Sequence, residues 1–212
     1  GHDVDYLCGQ VPLNDSFIDW SGNCGNLSSA VGPFAISNGL IDPARVPHDG
    51  ICTVRIWQAN ISKTIIAHVH VSKGEVQETG DFELDGVTFP SAEIQLEFLD
   101  PADEGDGEGG GAMFPTGNLI DVLEVPGAGS FKVTMINAGV SVVFVEAAAL
   151  GYDGTELQGA INEDKAALAK LEAIRAHGAV RMGLIGDAAH AAKRPLTPKL
   201  VLVAPPKDYV SS

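Results

Sequence analysis

The sequence predicts an α+β protein built in two halves. Three observations predict it. Each half carries pairs of strand-like alternating runs, each carries one helical run with an apolar face, and an acidic, glycine-rich stretch separates them. That stretch, PADEGDGEGGGA at 101–112, reads as a flexible linker. It divides a first domain, 1–110, from a second, 113–212. The 45% of hydrophobic residues suffices for packed cores, and with aromatics at only 6% those cores should be mostly Val, Ile, Leu and Ala.

The elements follow in order. Val4–Val11 reads as a strand and Phe17–Trp20 as a short extended piece. The polar turn Ser21-Gly22-Asn23-Cys24-Gly25-Asn26 precedes apolar residues at Leu27, Ala30, Val31, Phe34 and Ala35, the spacing of a helix with one buried face. Asn38-Gly39 supplies its stop, and Pro33 should bend it. Ile51–Gln58 and Lys63–Val71 alternate and read as a hairpin turning at Ala59–Ser62. A further strand runs through Ile94, Leu96 and Phe98, with Glu93, Gln95 and Glu97 facing outward. In the second half, Leu119–Val125, Phe131–Ile136, Val140–Val145 and Leu200–Ala204 read as strands. A helix starts at Asn162 as N-cap, lines one face with Ala167, Leu168, Leu171 and Ile174, and stops at Gly178.

Charge narrows the function. The net charge of −15 offers no basic footprint for nucleic acid and none for an anionic membrane. It also works against anionic substrates at long range, so a carboxylate site must be made locally, from backbone N–H groups and helix termini. No apolar run reaches the length of a bilayer span. Three cysteines, Cys8, Cys24 and Cys52, are an odd, widely spaced set without a CxxC pair, so neither a disulfide framework nor structural zinc is expected. These features read as a cytoplasmic protein. The absence of Met at the start, and the ending just after a strand, read as a piece of a longer protein.

Cys24 is the candidate for chemistry. A cysteine just before a helix lies in the field of the first unpaired N–H groups, which favours thiolate. The amides of Gly25, Asn26 and Leu27 can cradle a carboxylate, Gly22 and Gly25 permit a tight turn, and Asn23 and Asn26 add carboxamides. Proton removal beside a carboxylate needs a tuned base and a stabilised enolate, and this motif offers both. Free cysteines are also commonly small buried hydrophobes; Cys8 and Cys52, inside strands, are read that way, and spacing alone leaves both roles open for Cys24.

At this motif the sequence resembles the PrpF family. HDVDYLCGQV, DWSGNCGNLSSAVGPFAISNGLID, CTVRIWQANISKTIIAHV, ETGDFELDGVTFP, FPTGNLIDVLEVPG, MINAG, GTELQ, KLEAIRAHGAVRMGL and TPKLVLVAPP carry the resemblance across the chain. It implies a diaminopimelate-epimerase-like fold, two domains each wrapping a mixed β-sheet or barrel around a central helix. It implies a cofactor-independent isomerase, acting on 2-methylaconitate in the methylcitrate cycle of propionate catabolism. Related members act on oxalomesaconate and methylitaconate. It places the catalytic cysteine at Cys24 and substrate-binding groups at Asn23, Gly25, Asn26 and Asn137, the last in MINAG. No metal is implied. The partners implied are a small di- or tricarboxylate substrate, a second copy in a homodimer and, functionally, an iron–sulfur methylcitrate dehydratase.

The departures are specific. The family's partner lysine and its Gly-Gly-Thr-Ser-Lys-type loop lie upstream of Gly1, and the second domain's central helix and substrate loop are expected after Ser212. Cys8 stands where members commonly carry Phe. These departures keep a second class of function open, a non-catalytic carboxylate-binding module. Other features read blandly. His68 and His70 share a strand face but two ligands do not make a metal site, and Lys63, Lys73 and Lys132 read as surface residues. Glu104–Gly109 imitates the start of an EF-hand loop, but position 12 falls on Pro115.

Overall fold

Alternation along two long strands organises the first half of the chain. The computed structural model describes residues 1–13, 15–102 and 112–210. The acidic stretch at 103–111, including the EF-hand-like residues, lies outside the described residues. By its contacts the chain forms two units, Gly1–Cys8 with Asn23–Pro101, and Gly9–Gly22 with Ala102–Ser212.

The first unit contains β1 (Val4–Tyr6), α1 (Gly25–Ser37), β2 (Asp49–Gln58), β3 (Lys63–Ser72), β4 (Glu75–Val76) and β5 (Ile94–Phe98). β2 and β3 form the expected hairpin, in register from Gln58 opposite Lys63 to Asp49 opposite Ser72. β1 pairs parallel with β2, while β4 and β5 pair antiparallel with β3. Cys52, Val54 and Ile56 from β2 join Ile65, Ala67, Val69 and Val71 from β3 in one buried cluster, closed by Ala35 and Ile36 of α1. The strand at Val4 is shorter than the sequence suggests. It ends at Tyr6, and Gln10 instead bridges Asp19 in the second unit.

α1 begins and ends where expected, with Cys24 as N-cap and Asn38 as C-cap, and Pro33 sits inside it. Its buried face is different. Ser28, Gly32, Ala35 and Ile36 are buried, whereas Leu27 and Phe34 are 55% and 61% exposed. The cause is close approach. A Cβ on Gly32 would lie 2.8 Å from Val69 Cγ2 and 3.0 Å from Ala67 Cβ. Such proximity puts the row Ser28, Gly32 and Ile36 on the sheet and turns Leu27 and Phe34 aside.

The second unit contains β6 (Asp121–Val125), β7 (Gly129–Ala138), β8 (Val140–Glu146), α2 (Gln158–Asn162), α3 (Lys165–Arg181) and β9 (Lys199–Val203). The sheet order is β6-β7-β8-β9, antiparallel except for the β8–β9 pair. Leu123, Val125, Phe131, Val133, Met135, Val143 and Val145 pack with Ile174 and Met182. The helix start is corrected. Asn162 ends the short α2, and Asp164 caps α3, its carboxylate accepting from the Ala166 and Ala167 amides at 2.9 Å each. A carboxylate can satisfy two orphan amides at once. Leu168 is exposed, and the buried residues lie further on, at Ile174, Arg175, Ala176, Gly178 and Ala179. Gly178 does not stop the helix but lies inside it, because a Cβ there would meet Val143 Cγ2 at 2.7 Å.

Buried charges tie the loops of this unit. Arg175 pairs with Glu172 through two 2.7 Å contacts and donates to the carbonyls of Arg194 at 2.9 Å and Ala191 at 3.0 Å. Asp121 receives Thr116, Asn118 and Arg181, which accounts for the polar residues of FPTGNLID. Asp19, 3% exposed, accepts from the Ser21 amide at 2.8 Å and the Leu196 amide at 3.0 Å. Burial works to raise the Asp19 pKa, but the Ser21 hydroxyl and amide, the Leu196 amide and the Arg194 charge outweigh it and hold it below the usual carboxylate value.

Two outcomes follow for stability. Gly178→Ala should gain roughly 1 kcal/mol in helix propensity, yet overpacking against a stiff valine should outweigh that with a loss of about 1–3 kcal/mol. A lowered melting temperature is the expected readout. For Asp19, a depressed folded pKa means its contribution is complete above the unfolded value of about 3.9 and is lost as pH falls through the folded one. Urea titration should therefore show Asp19→Asn less stable than wild type at pH 7, with the gap closing as pH falls below the ordinary carboxylate range.

Candidate functional site

The N-terminus of α1 gathers four of the five residues singled out in the sequence. Cys24 is half-buried, with extended backbone (φ −106°, ψ 106°), and its carbonyl accepts the Ser28 amide at 3.1 Å. The Cys24 side chain makes no capping hydrogen bond. Among the described residues the N–H groups of Gly25, Asn26 and Leu27 have no protein acceptor, which leaves them open to an outside one. Cys8 and Cys52 are buried, and burial raises the Cys52 thiol pKa, which fits inert core residues.

The glycines act differently from the expectation. A Cβ on Gly25 would meet nothing within 4 Å, so neither packing nor a turn requires glycine there, and the space over the first amides stays open. Gly22 belongs to the second unit, where a Cβ would lie 2.9 Å from Leu196 Cδ2. Packing against Leu196 is what requires glycine there. Asn26 is exposed, and its carbonyl accepts the Ser29 hydroxyl at 2.7 Å.

Asn23 is 8% exposed, and its Oδ1 lies 3.2 Å from the Ser28 hydroxyl. Ser28 is fully buried and also reaches the Cys24 carbonyl at 2.9 Å. Sequence reading missed Ser28. The signal was its place four residues after Cys24, where a helical serine can bond back to the preceding turn. Asn137 lies in the second unit, at the end of β7. It is 5% exposed, accepts the Ser141 hydroxyl at 2.7 Å and donates to the Ala112 carbonyl at 3.5 Å. Its carboxamide thus holds together its own hairpin and the chain that enters it.

Two further residues of the first unit stand out. Burial, then the Cys8 thiol beside it, then the charges of Cys8 and Cys24, push the Tyr6 hydroxyl pKa well above that of an ordinary phenol. Tyr6 therefore stays protonated within electrostatic reach of Cys24. Lys63 is 6% exposed and not a surface residue; its place on β3 is in phase with Ile65, Ala67 and Val69. Lys73 and Lys132 are exposed, as expected. His68 is engaged by Glu97 and Thr53 on the outer sheet face, and among the described residues no group of three or more His, Cys, Asp or Glu could hold a metal ion. Among the same residues no helix is long and apolar enough to cross a membrane.

Comparison with known proteins gives this geometry a family. The sequence matches the family model described as PrpF protein over residues 1–212. A 2-methyl-aconitate isomerase of Shewanella oneidensis is 69% identical over 211 residues, which cover 100% of this chain and 53% of that protein. A 2-methyl-aconitate isomerase of Cupriavidus necator is 65% identical with the same coverage. The crystal structure of a methylitaconate-delta-isomerase matches with TM-score 0.76 at 35% identity, covering 99% of this chain and 52% of that one. The chain thus spans about half the length of the curated relatives it matches, and its α+β architecture is that of this isomerase fold.

Proposed function

The chain belongs to the PrpF family, and we propose that it forms part of an isomerase that moves a proton on a small unsaturated polycarboxylate, 2-methylaconitate first. One observation carries the reading: a half-buried cysteine caps a helix whose first amides have no side-chain partner among the described residues. The 65–69% identity to proteins named 2-methyl-aconitate isomerase supports this substrate over methylitaconate or oxalomesaconate.

The chemistry needs few parts. A substrate carboxylate docks on the Gly25, Asn26 and Leu27 amides, with the Asn23 carboxamide beside it. A base takes the allylic C–H proton, and the bonding electrons spread over the double bond and onto the carboxylate oxygen. The amides stabilise that charge. The former double bond then has single-bond character and rotates, and an acid returns the proton. Cys24 serves as one of these two groups, and the resemblance assigns the other to a lysine upstream of Gly1. None of these steps calls on a metal or an organic cofactor. Asn137 supports the second unit's hairpin near its own loop. The resemblance further supports two domains around this chemistry, a cytoplasmic homodimer, and a functional link to the dehydratase that makes or uses such acids.

Cys24→Ala in the full-length protein should lower kcat for 2-methylaconitate by about 10²–10⁴-fold, the usual worth of a proton-transfer residue, with the melting temperature little changed. Retained turnover would remove Cys24 from the reaction. The share of the relatives left uncovered favours a second reading, a carboxylate-binding half without turnover. Proton exchange into substrate in deuterated buffer, measured on the 212-residue chain alone, separates them. Exchange by this chain alone would rule out the second reading.

A further inference from the structure

We propose that Ser28 is a positioning residue, one that holds the Asn23 carboxamide with its NH2 group turned to the bound carboxylate. The inference rests on the isomerase reading and deepens it.

A carboxamide has two ways round, and they are opposites for an anion. With Nδ2 outward it donates a hydrogen bond; with Oδ1 outward it repels. At Asn23 the structure sets Oδ1 against Ser28 Oγ at 3.2 Å. Ser28 Oγ also has the Cys24 carbonyl at 2.9 Å, but that carbonyl already accepts the Ser28 backbone N–H at 3.1 Å. A carbonyl takes two donors, so the one hydroxyl proton is shared between it and Asn23 Oδ1, which has no other donor among the described residues. The opposite end, Nδ2, has no protein acceptor among the described residues and is not sealed from solvent. Asn23 is only 8% exposed, so its one open polar group stands out.

The position of Ser28 explains why the hydroxyl can do this. It is fully buried in the row of small residues on which α1 meets the sheet, so its side chain cannot turn to water. The same packing that fixes the helix fixes the hydroxyl. When Asn23 Nδ2 donates to a carboxylate, Oδ1 must accept from Ser28, and the pair acts as a unit.

A double-mutant cycle on the full-length protein tests this. Ser28→Ala should lower kcat/KM for 2-methylaconitate by about tenfold in the wild-type background and by less than about twofold when Asn23 is already Ala, because only the Asn23 route is lost. Equal losses in both backgrounds, or no loss from Ser28→Ala, overturn the proposal by showing a general structural role or none. Should Ser28→Ala fold poorly, Asn23→Asp gives a second test with Ser28 kept. Ser28 can still serve one carboxylate oxygen, which turns the other, charged, toward the substrate. Asn23→Asp should therefore cost more kcat/KM than Asn23→Ala, and an equal or smaller cost overturns the proposal. Cys24→Ala is run beside these. If it retains turnover, the isomerase reading falls and takes this inference with it. If it is inactive while the cycle is additive, the inference alone falls.

Discussion

The close seating of α1 on its sheet is the constraint from which the candidate site follows. Gly32 leaves no room for a side chain against Val69 and Ala67. With the helix pressed that near, Ser28 and Ile36 are buried on the same row, and Cys24 is carried to the rim one turn before Ser28. A larger residue at position 32 would lift the helix and with it the amides, the thiol and the Asn23–Ser28 pair. The second unit uses the same device, with Gly178 of α3 against Val143 of β8. In both, glycine is chosen for proximity and not for an unusual backbone angle, since neither has a positive φ.

That seating also resolves an electrostatic conflict. A chain of net charge −15 repels a polycarboxylate at a distance. Screening confines that repulsion to about 8–10 Å in physiological salt. Backbone amides act at hydrogen-bond range, where the helix end concentrates partial positive charge. In the proposed reading, cradling by amides would leave the overall charge free to remain acidic. On that reading the carboxylate cradle needs only glycine, asparagine and backbone amides, with no arginine. The arginines described here do other work. Arg175 and Arg181 are spent on loop carbonyls and on Asp121.

Polar groups buried away from the site set the loops that frame each unit. Asp19, Asp121 and Arg175 each converge several hydrogen bonds on one charged group, the condition under which burying a charge is tolerable. Asn60 does the same without charge in the first unit, bonding both the amide and the carbonyl of Cys8 at 2.8 and 2.9 Å. It fixes the segment after β1 against the β2–β3 turn. Such knots make sense of motif residues that chemistry alone leaves unexplained.

Sequence by itself determined the strands, because alternation at Ile51–Gln58 and Lys63–Val71 is a local property of the pleat. It determined Cys24 as a helix cap for the same reason, since Ser-Gly-Asn-Cys-Gly-Asn and the stop at Asn38-Gly39 act on neighbouring backbone. It even held the burial of Lys63, in the phase of its strand, though a charged residue beside a turn reads more naturally as exposed. Tertiary structure decided which side of α1 is inside. Hydrophobicity pointed to Leu27 and Phe34, and the steric fit of Gly32 and Ser28 against another strand overruled it. The same holds for Gly178 inside its helix, set by Val143 of another strand. Each depends on the distance between atoms remote in the chain or on the rotation of a helix about its axis, and neither quantity is written in any local run of residues.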